Sequence, residues 1–196
     1  TMPKPPKAKL PQPKKRAPRN RTLTLTAEDY QRLRPTLGYL DGSTGMGVLR
    51  NSIIHQDLLE AIQHMPEQSI DLLFLDPPYN LTKTFGSKRF AARSTEAYIE
   101  YLESWLPKLL PLLKPTASVY LCGDWKSSAA LQIVLERHLI VRNRITWERE
   151  KGRGAKTNWK NNIEDIYFAT VSEDYVFNVE DVKLKRRVIA PYKQNG

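Results

Sequence analysis

Asp76-Pro77-Pro78-Tyr79 is the stretch of this sequence best equipped to do chemistry. It directly follows SIDLLFL, residues 69 to 75. That run has no polar alternation after Asp71, as expected of a strand covered on both faces in a parallel sheet. In open α/β sheets ligands bind beyond the carboxyl ends of the strands, so this strand delivers the motif to the functional edge. The two prolines fix φ and donate no N–H, which presets the direction of the nearby carbonyls. The result is a carboxylate, a fixed carbonyl and an aromatic face in one rigid cluster. An exocyclic amine of a nucleic-acid base is a poor nucleophile, because its lone pair is delocalised into the ring. The Asp76 carboxylate and the Pro77 carbonyl can each accept one amine N–H, hold the nitrogen toward a tetrahedral arrangement and stabilise its growing positive charge. The Tyr79 ring can stack on a base taken out of the duplex. A methyl donor must then lie in line with the amine, so positioning supplies much of the rate. A sulfonium donor is already activated, and no metal is called for. The plainer reading is a strand-ending Asp before a Pro-Pro turn. A given tetrapeptide arises by chance in roughly one chain of this length in a thousand, and the strand context lowers that further.

The elements around the motif read as an α/β chain. Thr26 can cap a short helix, 27 to 34, which Pro35 ends. Residues 38 to 47 form a Gly-rich loop, and Ile53-Ile54 suggest a short strand. Residues 58 to 65 carry apolar side chains at helical spacing and stop at Pro66. Residues 80 to 94 are polar and basic, as in a mobile loop. Thr95 is a plausible cap for a helix with Tyr98, Leu102, Trp105 and Leu109 on one face, kinked or split by Pro107 and Pro111. Strands are expected at 117–123, 140–147 and 164–170, a helix at 126–138, and a charged loop or lid at 148–162. Strands alternating with helices indicate a mainly parallel sheet.

Composition narrows the class. No apolar run approaches the roughly 18 to 20 residues needed to span a bilayer, and no signal-peptide pattern opens the chain; the expected compartment is the cytoplasm. The one cysteine, Cys122, lies in an apolar run. That excludes a disulfide framework or a cysteine metal site and suggests a buried, inert thiol. His55, His64 and His138 show no metal-ligand spacing. The net charge is +10, and residues 1 to 21 hold eight Lys or Arg and no acid, so the rest carries only +2. This Pro- and Lys-rich tail is expected to be disordered, either a phosphate-contacting arm or a solvated tail without a partner.

The segment IIHQDLLEAIQHMPEQSIDLLFLDPPYN, residues 53 to 80, resembles the catalytic motif of DNA amino-methyltransferases of the beta order, the N6-adenine and N4-cytosine enzymes of restriction–modification type. The likeness continues through the helix from residue 95, SVYLCGDW (118 to 125) and ITWEREKGRG…NWKNNIEDIYFA, covering about residues 50 to 178. It implies a Rossmann-like methyltransferase fold, S-adenosylmethionine as cofactor and double-stranded DNA as partner. By resemblance Asp76, Pro77, Pro78 and Tyr79 are catalytic, and Asp76 also borders the cofactor. Asp57 stands where the family often has an acidic residue near the cofactor adenine, although Gln56 replaces the usual preceding Gly. Asp at the first motif position is commoner in adenine enzymes and Ser in cytosine ones. The expected product is therefore N6-methyladenine; the alternatives are cytosine N4, an RNA or protein-glutamine substrate, or a DNA-binding module that retains the fold without catalysis.

Several basic groups are candidates for DNA contact. Lys83, Lys88, Arg89 and Arg93 follow the motif directly. Arg149, Lys151, Arg153, Lys156 and Lys160 flank Gly152 and Gly154, and could equally be a solvated loop. Lys183, Lys185, Arg186 and Arg187 have no evident role. Trp147 and Trp159 could stack bases, but packing in the core or a loop is the expectation. Gly42, Gly45 and Gly47 read as a connector, since no apolar strand leads into them and the 30 residues between Gly45 and Asp76 leave no room for two further βα units.

The organisation expected is a tail (1–21), a helix and connector (22–50), the N-terminal portion of a catalytic domain (51–180) and a basic segment (181–196). The family's cofactor motif, an aromatic or Pro-Phe followed by Gly-x-Gly, is absent from residue 80 to Gly196. The chain is accordingly expected to be incomplete alone, requiring a C-terminal segment or a second copy.

Overall fold

The computed structural model describes residues 23–85, 88–153, 157, 159 and 161–183. The basic tail, Lys156, Lys160 and the late basic run after Lys183 lie outside them. Helix α1 spans Ala27–Leu33 and begins with a full capping box: the Thr26 hydroxyl accepts the Asp29 N–H at 3.1 Å, and the Asp29 carboxylate accepts the Thr26 N–H at 3.0 Å. Pro35 falls in a 3₁₀ turn, Arg34–Thr36, that closes the helix. The strand expected at Ile53-Ile54 reduces to one bridge, Gly38 to Ile54. Gln56 ties the connector down: its amide donates to the Leu40 carbonyl and accepts the Leu40 N–H. Short helices α2 (Met46–Leu49) and α3 (Leu58–Ala61) follow, the latter running into a 3₁₀ turn before Pro66.

Strand β1 is Ile70–Leu75. A small hairpin of β2 (Lys83–Phe85) and β3 (Lys88–Phe90) follows, where the sequence suggested an open loop. Helix α4 is Thr95–Glu103; its cap is Ser94, not Thr95, with the hydroxyl accepting the Ala97 N–H at 3.2 Å. The prolines split the expected long helix, leaving a 3₁₀ stretch, Leu106–Leu112. Then come β4 (Leu113–Gly123), α5 (Ser128–His138), β5 (Ile140–Arg153), β6 (Asn161–Thr170) and α6 (Val179–Val182). The charged stretch expected as a loop from 148 is strand for most of its length, because β5 and β6 continue as a two-stranded ribbon beyond the end of β4.

The main sheet has the order β1-β4-β6-β5. β1 and β4 pair in parallel across the α4 crossover. β5 returns after α5 in the same direction. β6 then doubles back directly from β5 and inserts between β4 and β5, antiparallel to both. Three of four strands run one way, in keeping with the Rossmann-like α/β class, while two of the three pairings are antiparallel.

One sheet face carries the core. Tyr98, Leu102, Trp105 and Leu109 are all buried, as their spacing requires, and meet Leu131, Val134 and Leu135 of α5 and Val119, Leu121, Tyr167 and Ala169 of the sheet. The opposite face bears an aromatic ladder: Phe74 stacks on Tyr120 at 6.2 Å, and Tyr120 on Phe168 at 4.9 Å. Tyr175 and Phe177 cover only its Phe168 end. Leu72 and Phe74 therefore remain 58% exposed each, which corrects the expectation that β1 is covered on both faces.

Candidate active site

The Asp76–Tyr79 tetrapeptide occupies the carboxyl end of β1, where a cavity of about 760 Å³ opens. Asp76, Pro77, Pro78 and Tyr79 form one wall. Asp124, Trp125 and Lys126, just past the end of β4, form another. Arg149 of β5 and Asn161, Ile163 and Glu164 of β6 close the third side. The insertion of β6 brings them there, since an antiparallel strand starts where its neighbour β4 ends.

The motif is held from behind. The fully buried Tyr98 hydroxyl donates to the Pro78 carbonyl at 2.9 Å, and its burial pushes the phenol up to about 12. That bond takes the Pro78 carbonyl as its acceptor. Asn80, buried, donates to the Arg93 carbonyl at 2.9 Å and accepts the Arg93 N–H at 2.7 Å. Its own N–H reaches the Ser127 hydroxyl at 3.0 Å, and Ser127 in turn donates to Asp124 at 2.6 Å. Asn80 thus clips the base of the β2–β3 hairpin to the catalytic turn and to the start of α5.

The Tyr79 hydroxyl points to Glu164 Oε2 at 3.4 Å, and Arg149 pairs with the other Glu164 oxygen at 3.0 Å. Burial first, and then the charges of Asp76 and Glu164, hold the Tyr79 phenol far above its ordinary range; it is a proton donor and never a phenolate under working conditions. Burial likewise pushes the Cys122 thiol up to about 11, with Asp76 and Glu164 adding to the effect.

Other candidates stand elsewhere. Asp57 does not line the cavity; its carboxylate caps α3 by accepting the Leu59 N–H at 2.9 Å. Lys83 lines the cavity at the start of the hairpin. Lys88 and Arg89 lie on β3, and Arg89 is exposed. The Arg93 guanidinium sits over the Phe90 and Tyr101 rings at 5.2 and 5.0 Å. Lys151 and Arg153 belong to β5 by backbone. Trp147 and Trp159 are 60% and 97% exposed, not packed as expected. Asn80, Tyr98, Asp124, Trp125 and Glu164 were not singled out from the sequence for the site. The available signal was positional for Asp124, which follows the apolar strand β4 as Asp76 follows β1.

Residues 70–193 match the DNA methylase family, well over half of the 196-residue chain. The chain belongs to that family. It is similar to the type II methyltransferase M.BamHI of Bacillus amyloliquefaciens, 27% identical over 143 residues, which are 72% of this chain and 33% of that protein. It is also similar to the DNA adenine methyltransferase YhdJ of Escherichia coli (strain K12), 25% identical over 159 residues, 78% of this chain and 54% of the relative. Among solved structures it resembles PvuII DNA methyltransferase (cytosine-N4-specific), with a TM-score of 0.49 and 19% identity, over 69% of this chain and 51% of that one. The chain spans a third to about half the length of the curated relatives it matches. The restriction–modification resemblance read from residues 53 to 80 holds.

Proposed function

We propose that this chain is the catalytic part of a site-specific DNA methyltransferase that moves a methyl group from S-adenosylmethionine to adenine N6 of a flipped base. The observation that carries the reading is the Asp76-Pro77-Pro78-Tyr79 turn standing in a cavity at the carboxyl end of β1. Asp76 and the Pro77 carbonyl accept the two amine protons, and this localises the nitrogen lone pair. Tyr98 holds the next carbonyl, so the Pro77 carbonyl is the one left to the substrate. Tyr79 stacks on the base. S-adenosylmethionine supplies an electrophilic methyl group.

The described residues fit the amine side of this reaction better than the cofactor's amino-acid end. A cofactor cradle favours glycine for close backbone approach. A Cβ on Gly42, Gly45 or Gly47 would meet open space, and one on Gly123 would strike the buried Leu131 side chain at 2.3 Å. Gly123 is thus kept bare by protein packing, while the other three leave room at the Cβ position. Asp57 as a neighbour of the cofactor adenine is proposed on the family resemblance alone.

The β2–β3 hairpin and the residues after it, with Lys83, Lys88, Arg89 and Arg93, are proposed to follow the DNA backbone, together with Lys151 and Arg153 on the ribbon and, from the sequence alone, Lys156. Adenine is favoured over cytosine by Asp at the first motif position and by the similarity to a relative named as an adenine methyltransferase. Mass spectrometry of nucleosides from DNA treated with the full-length protein tests the assignment. N6-methyladenine is expected; N4-methylcytosine would correct the base, and no methylated nucleoside would overturn the reading.

A further inference from the structure

The Tyr79 hydroxyl stands between two carboxylates. It lies 3.4 Å from Glu164 and within hydrogen-bonding reach of Asp76 as well. All three residues line the cavity. A phenol has one proton to donate, so it satisfies one carboxylate at a time. Turned onto Asp76, it would occupy acceptor capacity that the substrate amine needs. Glu164 is built to compete for it. Its backbone is fixed by the β5–β6 ladder opposite Trp147. Its second oxygen is held by Arg149 at 3.0 Å, with both side chains largely shielded from solvent. A partly buried pair of this kind is screened less than a surface one.

We propose that Glu164, balanced by Arg149, is a positioning residue that competes with Asp76 for the Tyr79 hydroxyl and so frees acceptor capacity on the Asp76 carboxylate for the amine. This rests on Asp76 accepting the amine, as proposed above. The contact is longer than the usual ~2.7–2.8 Å of an O–H···O bond, so the hydroxyl is steered rather than locked.

A double-mutant cycle in the full-length protein tests it, read by single-turnover methyl transfer to DNA with DNA and cofactor affinities measured separately. Glu164→Ala is expected to slow transfer about tenfold and leave both affinities within about twofold. Once Tyr79→Phe has removed the hydroxyl, the same change is expected to cost less than about twofold. Glu164→Gln keeps an oxygen acceptor, so its expected loss is about threefold, again vanishing in the Tyr79→Phe background; it carries the test if the alanine variant does not fold. Equal losses in the two backgrounds, or a loss of affinity in place of rate, would assign Glu164 to the fold or to Arg149 and overturn the inference. A wild-type protein that transfers no methyl group would instead overturn the functional reading on which it rests.

Discussion

At the scale of single residues, burial beside carboxylates governs the chemistry of the site. Tyr79, Tyr98 and Cys122 all ionise later in the folded protein than their ordinary values, with burial the leading cause in each. The sign follows directly: each group favours folding while it stays neutral, and that advantage is complete below the ordinary values of 9 for the thiol and 10 for the phenols. It is lost as the pH climbs through the folded values, about 11 for Cys122 and about 12 for Tyr98. The urea midpoint is expected to hold near pH 8 and to fall steadily above pH 9. A midpoint unchanged to pH 11 would contradict these environments. For the same reason Cys122, buried and with roughly one thiol in a thousand ionised at pH 8, is expected to resist aromatic disulfide reagents until urea unfolds the chain. The catalytic turn was legible in the sequence because its four residues are contiguous and follow an apolar run. Glu164 was not, because it lies 85 residues from Tyr79 and reaches it only through strand pairing.

At the scale of elements, the hairpin and the ribbon show what periodicity misses. Residues 80 to 94 and 148 to 162 are mostly polar in sequence, so no apolar alternation marks strands in them. The described strands there are held by main-chain pairing, by Phe90 against Tyr98 and Tyr101, and by Asn80, whose amide spans the base of the hairpin. The helix faces, by contrast, were readable, because the core demands apolar residues at fixed spacing. Their ends shift: Ser94 caps α4, the prolines split the long helix, α3 passes into a 3₁₀ turn at Ile62, and α5 begins at Ser128. Asn80→Ala removes a buried two-way clip, and is expected to cost on the order of 1–3 kcal/mol of stability. The local effect is the sharper test. Trypsin should cleave the variant within residues 83–89 many times faster than wild type, while the core resists. Equal cleavage rates would mean that the hairpin holds itself.

At the scale of the whole molecule, the sheet is finished on one face and open on the other. α4, the 3₁₀ stretch and α5 cover Val119, Leu121 and Tyr167, while Leu72 and Phe74 face outward on β1, which is the edge strand of the sheet among the described residues. Exposed apolar side chains on an edge strand favour association. Sedimentation of this 196-residue chain is expected to show self-association that deepens with concentration and is relieved by Leu72→Lys with Phe74→Lys; a monomer at all concentrations would contradict it. The most direct test of the central claim is made on the full-length protein, with isotopically labelled methyl transfer to DNA measured beside DNA affinity for wild type and Asp76→Ala. Losing a preorganised acceptor is expected to cut the transfer rate roughly 100-fold or more while DNA binding stays near normal. Near-normal turnover by the Asp76→Ala protein would contradict the account, because the carboxylate at the end of β1 would then have no part in the chemistry assigned to it.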